Sequence, residues 1–440
     1  MNAKNILPLK IKLKNASLYK IVKVASRALN ENGIDHSSIS AVNVSGNSGS
    51  KTYLCSDNEI PKCIVKISSG DSIMNSHKFT LERVRAATNA LRAGKIAPPV
   101  LMKGSDFQIE LSAGISVKKD FFNFQPELAP MEKLAQLLAL IHSTSIDWYQ
   151  PLKQKYLERD AVINDIFSDL PDYAPAWCLP WSGFDTGMPV LGVGNPAPKT
   201  AKKILELQIE TGVFKKIMQC TAFYPTTEAA RRQVVVHNDF KPDNVLCDRK
   251  TGRLTAIDYD LTQVGPAIMD FGLPYMMWLG PRFTTFKCRK EFVEQYLKAC
   301  DFSFDDNSTK EFMLDCEVNT IVAFPGLLSN IYDAEIPLLR GRTHPTAKAG
   351  FQASGPSAFP TGLQLVDLLS EAVVKIRSDK NLADKCIKEG LVNTILKKAG
   401  LGSESLFRFL KEMQKNQMLR LFGIPETDDG NIFVSEHAKK

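Results

Sequence analysis

Three polar side chains between residues 237 and 258 have the types and the spacing that phosphoryl transfer asks for. The stretch runs Val234-Val235-Val236-His237-Asn238-Asp239-Phe240-Lys241-Pro242-Asp243-Asn244, continues as Val245-Leu246-Cys247, turns at 248–252, and resumes as Leu254-Thr255-Ala256-Ile257-Asp258-Tyr259-Asp260. An aspartate on a tight polar loop, Asp239, can orient a hydroxyl group and accept its proton. An asparagine five residues on, Asn244, can offer magnesium a hard oxygen. An aspartate beyond the next hairpin, Asp258, can hold metal that bridges phosphates. The chemistry expected is Mg2+- and ATP-dependent phosphorylation of a hydroxyl. Short strands must hold these groups: the apolar run 234–236 fits a buried strand, and 245–247 with 254–257 fit a hairpin turning at Gly252.

The pattern His-Asn-Asp-x4-Asn, followed by a hairpin and Ile-Asp-Tyr-Asp, resembles the catalytic loop and metal strand of the choline/ethanolamine kinase and aminoglycoside phosphotransferase superfamily. That resemblance implies a bilobal protein-kinase-like α+β fold. It implies Asp239 as catalytic base, Asn244 and Asp258 as Mg2+ ligands, and His237 as a loop-orienting residue. Lys241 departs from the family and matches the Asp-x-Lys-Pro-x-Asn of Ser/Thr protein kinases; a lysine there can stabilise the moving γ-phosphoryl group. Asp270-Phe271-Gly272 spells a kinase metal motif, yet lies too far beyond Asp239, and Asp258 already fills that role. By resemblance Asp270 holds the catalytic loop.

In a lobe of this kind the nucleotide needs a roof and a lysine. Residues 16–31 have helical periodicity, 39–44 and 52–55 read as strands, and Gly46, Asn47, Ser48, Gly49, Ser50 and Lys51 form a small-residue loop between them. Its backbone N–H groups can approach phosphate oxygens. Taken alone the loop reads equally as an ordinary Gly/Ser-rich hairpin. It imitates a Walker A loop but has Ser50 where glycine is required and a strand where a helix should follow. Lys66, on the strand 63–67, is expected to reach the α- and β-phosphates; from strand pattern alone it reads as solvent-facing. Its usual partner is a helix-borne glutamate, and Glu82 is the only acid of the helical segment 75–93. The strand 107–111 and Gly114 are expected to close the lobe and form the hinge. Residues 131–145 read as an amphipathic helix in which His142 packs structurally.

Farther along, the helix around 311–335 resembles the Glu-Val-Asn helix of choline/ethanolamine kinases. The acceptor residues expected from that likeness are Asp260, Glu317 and Tyr332, any of which can receive an ammonium group. The family's aromatic cage for a quaternary ammonium is mostly absent: Val264, Pro266 and Ser329 stand where aromatics are expected. Trp177 and Trp181, in the Pro- and Gly-rich stretch 171–200, either pin that stretch or line the cleft. The expected donor lobe is 1–112 and the catalytic and acceptor lobe 113–340. Residues 341–362 read as a linker or lid, and 363–440 as a helical extension that packs on the larger lobe in preference to forming a dimer.

The whole chain is compatible with this reading. Its 440 residues are 44% hydrophobic and 23% charged, with a net charge of +7, which does not demand nucleic acid. No apolar run is long enough for an integral membrane segment. Nine cysteines without a Cys-x-x-Cys point to reduced thiols and a cytoplasmic setting. The Lys-rich N-terminus reads as a solvated helix in preference to a transit peptide. The function expected is a small-molecule kinase acting on an amino alcohol. The alternatives are a kinase of another metabolite or an aminoglycoside, and a pseudokinase-type nucleotide- or protein-binding module; a homodimer is compatible with any of them.

Overall fold

The computed structural model describes residues 11–45, 51–67, 78–117, 130–157, 219–259, 262–272, 285–323 and 362–397, together with positions 216, 400, 401 and 404. The smaller lobe is a five-stranded antiparallel sheet in the order β1-β2-β3-β5-β4. Its strands are β1 (Ile39–Asn43), β2 (Lys51–Asp57), β3 (Ile60–Ile67), β4 (Val100–Lys103) and β5 (Phe107–Leu111). Helix α1 (Leu18–Glu31) covers one face. Ser17 caps it by accepting from Lys20 N, and Ile21, Val24, Ala25, Ala28 and Leu29 form its buried stripe. Beneath that stripe lie Cys55, Cys63, Val65, Ile67, Phe107 and Ile109. Strand side chains alternate between faces, so Ile64, Lys66, Gln108 and Glu110 turn to the other side, which helix α2 (Lys78–Ala93) flanks.

Between the lobes the chain makes one tight passage. After β5, Gly114 adopts φ +123°, a conformation that L side chains rarely take. Strand β6 (Ile115–Ser116) then pairs directly with the catalytic hairpin, Ile115 opposite Cys247 and Ser116 opposite Leu246. The hairpin is β8 (Val245–Cys247) with β9 (Leu254–Ala256), and it follows strand β7 (Gln233–Val236). Strand β10 (Gln263–Pro266) lies antiparallel to β7, with Val264 opposite Val235. Its Gly-Pro content hides it from sequence-based reading.

The larger lobe is built on helix α3 (Met131–His142), whose Leu134, Ala135, Leu138 and Ile141 pack with Val235, Phe240, Phe271, Tyr296 and Phe312. Helix α4 (Tyr149–Leu157) follows, and later α5 (Phe286–Ala299) and α6 (Asp306–Ala323). The helices α7 (Gly362–Ser378), α8 (Lys380–Glu389) and α9 (Leu391–Lys397) are woven into this lobe by buried polar contacts. Arg377 Nη1 lies 3.0 Å from the buried carboxylate of Asp315, which also accepts Thr226 N and Thr227 N. Arg289 Nη2 donates to the carbonyls of Ile387 and Lys388. Residues 362–397 thus share one body with the catalytic lobe; the linker expected at 341–362 lies outside the described residues, except Gly362, which opens α7. Among the described residues every cysteine is a free thiol, and no helix is long and apolar enough to cross a membrane.

A Cβ at position 114 would collide with the backbone of Cys247 and Asp248. Gly114→Ala is therefore expected to cost ~2 kcal/mol or more, from positive φ and the clash together. A urea melt reads this directly; an unchanged midpoint would show that the passage tolerates a side chain.

Candidate functional site

Strand β7 is buried along Val234, Val235 and Val236 and delivers His237 to the end of the sheet. The loop that follows is held by one carboxylate. Asp270, 1% exposed, accepts His237 N at 2.6 Å and Asn238 N at 2.7 Å. It stands on the 3-10 turn Ala267–Phe271. His142 Nε2 lies 3.0 Å from the same carboxylate, and His142 Nδ1 lies 2.7 Å from Tyr296 Oη. A carboxylate only accepts, so Nε2 carries the proton and Nδ1 takes the Tyr296 hydroxyl. Burial pushes His142 below its ordinary range against the pull of Asp270. The neutral ring matches this one-donor, one-acceptor arrangement. His142 and Asp270 are the structural supports that the sequence suggested.

His237 is fully buried and joins the loop to the metal strand. Its Nε2 meets the Ile257 carbonyl at 2.9 Å, and its Nδ1 meets Asp239 N at 3.3 Å. The first contact fixes the Nε2–H tautomer, which leaves Nδ1 to accept. Two residues of the site have left-handed backbone, Asn238 at φ +62° and Asp258 at φ +67°. Asn and Asp tolerate that region better than most side chains, and strain of this kind collects at sites that over-determine it.

Asp239, Lys241, Asn244 and Asp258 come together. Asn244 Nδ2 donates to Asp239 Oδ2 at 2.7 Å and to the Asp239 carbonyl at 2.9 Å. Lys241 Nζ lies 2.8 Å from the same Oδ2. Ile257 N donates to the Asn244 carbonyl at 2.9 Å, which sets loop and metal strand in register. Burial raises Asp239 above the usual carboxylate range, and the nearby Asp258 adds to this while Lys241 opposes it. Burial opposes the charge on Lys241, but the pull of Asp239, Asp258 and Asp243 outweighs it and raises that ammonium. The Asn244 amide nitrogen serves Asp239, which leaves its Oδ1 as an oxygen donor, and the Asp258 carboxylate is close enough to act on both Asp239 and Lys241. That pair suits a hard cation. Among the described residues no group of three or more His, Cys, Asp or Glu is placed to hold a metal ion by itself.

Other expected site residues are placed differently. Lys66 is on β3, and among the described residues it meets an acid at Glu110 Oε2, 3.5 Å away. Glu82 instead pairs with Lys155 of α4 at 3.4 Å, an exposed ion pair. Lys51 opens β2 and is exposed; Gly46, Asn47, Ser48, Gly49 and Ser50 lie outside the described residues. Asp260, Tyr332, Ser329, Trp177 and Trp181 also lie outside them. Glu317 is not turned to an acceptor. It is 5% exposed, with Arg289 Nε at 3.6 Å and Leu391 N donating at 3.1 Å. A carboxylate so enclosed is part of the seam under α9. Glu110 escaped notice because a lone acid on an alternating strand looks solvent-facing; its shared parity with Lys66 across the sheet was the available signal.

Residues 123–305 match the family model described as "Phosphotransferase enzyme family". No curated protein matches the chain. Among solved structures it is similar to an ethanolamine kinase of Plasmodium vivax, at 13% identity and TM-score 0.47, over 72% of this chain and 82% of that one. It is similar to a choline kinase of Cryptosporidium parvum Iowa II at 14% identity and TM-score 0.45, over 85% and 98% of the two chains. An aminoglycoside-3'-phosphotransferase of type VIII is similar at 16% identity and TM-score 0.35, over 69% and 98%.

Burial pushes Glu317 up to about 7, against the pull of Arg289 and the Leu391 N–H. In the unfolded chain the same group titrates near ~4.3. Between those values the folded state holds more protons than the unfolded one. Stability is therefore lost as pH rises through that window, by at most about 1.4 kcal/mol per pH unit. Glu317→Gln removes the titration. Its melting temperature relative to wild type should climb from about pH 4.5 to about pH 7 and then level off; a difference that does not change with pH would count against the buried, raised carboxyl.

Proposed function

We propose, from the match of residues 123–305 to the phosphotransferase enzyme family model, that this chain transfers the γ-phosphoryl group of ATP to the hydroxyl of a small amino alcohol. The observation that carries this reading is the treatment of Asp239. One carboxylate oxygen is held by Asn244 and Lys241, and Oδ1 is left for a hydroxyl. The raised proton affinity of this carboxyl suits a general base. Asp239 orients the acceptor and takes its proton as the hydroxyl oxygen bonds to phosphorus and the bond to the β-phosphate breaks. Lys241 faces the charge that the moving phosphoryl group carries. Lys66 would hold the α- and β-phosphates. Asn244 Oδ1 and Asp258 would hold magnesium, which would supply charge neutralisation on the phosphate oxygens.

For the acceptor, Glu317 is enclosed by Arg289, which favours Asp260 and Tyr332 as the groups that meet an ammonium. A quaternary ammonium asks for several aromatic faces, each worth ~0.5–2 kcal/mol. The positions that carry them in the resembled kinases hold Val264, Pro266 and Ser329 here. Val264 is itself buried in β10 against β7.

Two substitutions separate base from metal ligand. Asp239→Ala should lower kcat by ~10²–10⁴ while the thermal shift on adding Mg-ATP persists. Asp258→Ala should abolish that shift. The base assignment fails if Asp239→Ala keeps more than half the wild-type rate, and the metal assignment fails if Asp258→Ala shifts like wild type. For the acceptor, kcat/KM for ethanolamine or another primary amino alcohol should exceed that for choline. Choline equalling or beating every acceptor tested would sink the proposed preference.

A further inference from the structure

Among the described residues, an acid from the sheet meets Lys66. In the β3–β5 register Lys66 faces Gln108 and Ile64 faces Glu110, so Lys66 and Glu110 are diagonal neighbours on the face away from α1. Glu110 is 7% exposed and its surroundings are specific. Its Oε1 accepts from Arg92 Nη2 at 2.6 Å and from Gln108 Nε2 at 2.6 Å, and its Oε2 faces Lys66 Nζ at 3.5 Å. Arg92 sits in the last turn of α2 and is itself fixed by donating Nε to the Pro98 carbonyl at 3.1 Å. Burial opposes the charge on Glu110, but Lys66, Arg92 and Gln108 together hold its carboxyl below the usual range.

A lysine is a point charge on a flexible stem, and it must be held to meet phosphate oxygens repeatedly. The helix acid expected for that duty, Glu82, is engaged by Lys155 on the surface, where an ion pair contributes little. We propose that Glu110 is the positioning residue for Lys66: a buried strand carboxylate, locked by Arg92 and Gln108, aims the lysine at the nucleotide in place of a helix glutamate. The inference rests on the reading of Lys66 as the phosphate-binding lysine.

A double-mutant cycle tests it, with Mg-ATP affinity read by displacement of a fluorescent nucleotide from the full-length protein. Glu110→Gln is expected to weaken Mg-ATP about tenfold, the scale of one charge-assisted contact, and by more than Glu82→Gln does. In a Lys66→Met background Glu110→Gln should add nothing, because its effect passes through the lysine. A purely structural role would weaken binding equally in both backgrounds, and that outcome overturns the proposal. A loss in Glu82→Gln as large as that in Glu110→Gln also overturns it, while Mg-ATP binding that depends on Lys66 and Asp258 would leave the kinase reading standing. Lys66→Met binding Mg-ATP as tightly as wild type would remove the premise and the proposal together. Should Glu110→Gln fail to fold, Glu110→Asp keeps the charge, withdraws it by one methylene, and enters the same cycle.

Discussion

A buried carboxylate with nowhere to go but its neighbours holds the catalytic loop in shape. Asp270 accepts two successive backbone N–H groups, those of His237 and Asn238, and the imidazole of His142 on a helix far away in sequence. Removing any donor would leave charge in an apolar setting, so the loop has one arrangement that satisfies it. Tyr296 closes the set from α5 through His142. The turn carrying Asp270 is packed through Phe271 against Phe292, Tyr296 and Phe312. Aromatic packing thereby fixes the position of a hydrogen-bond acceptor, and the acceptor fixes the backbone that presents Asp239.

Charge is distributed with the same economy. Asp239, Asp243 and Asp258 crowd one small volume, and Lys241 is the cation that lives among them. Like charges so close are tolerable when a cation or a metal joins them. On the sheet side the balance is reversed, with Lys66 and Arg92 sharing the single carboxylate of Glu110. The two clusters are thus opposite in sign, an acidic one around Lys241 and a basic one around Glu110.

The loop and hairpin at 237–258 were legible in the sequence because their contacts are local. His237, Asp239, Asn244 and Asp258 are fixed by turns within a short run, and the strands 245–247 and 107–111 have the expected bounds. Asp270 and His142 were also readable as supports. What escaped was set by contacts across the chain. Glu110 shows its role only through the β3–β5 register, and Glu317 is claimed by Arg289 from another helix and by Leu391 from beyond the acceptor helix. Glu82 lies in the expected helix, yet the distance between that helix and α4 gives it Lys155. Strand β10 is invisible to propensity because its pairing with β7 overrides a Gly-Pro sequence.

The pairing of β6 with β8 has a consequence for how the molecule is assembled and how it can change. Residues 115–117 meet 245–247, so everything between them is a loop that this short ladder closes. The closure is entropically expensive to find, and contacts of such long range slow folding. The hairpin around Gly252 can form early, but its docking waits for the chain to return from far away. Once closed, the loop's length enters only logarithmically: doubling it costs only about 0.6 kcal/mol. The chain between α4 and the catalytic strand can therefore grow, shrink or be replaced over evolutionary time, while the catalytic hairpin stays seated on the hinge.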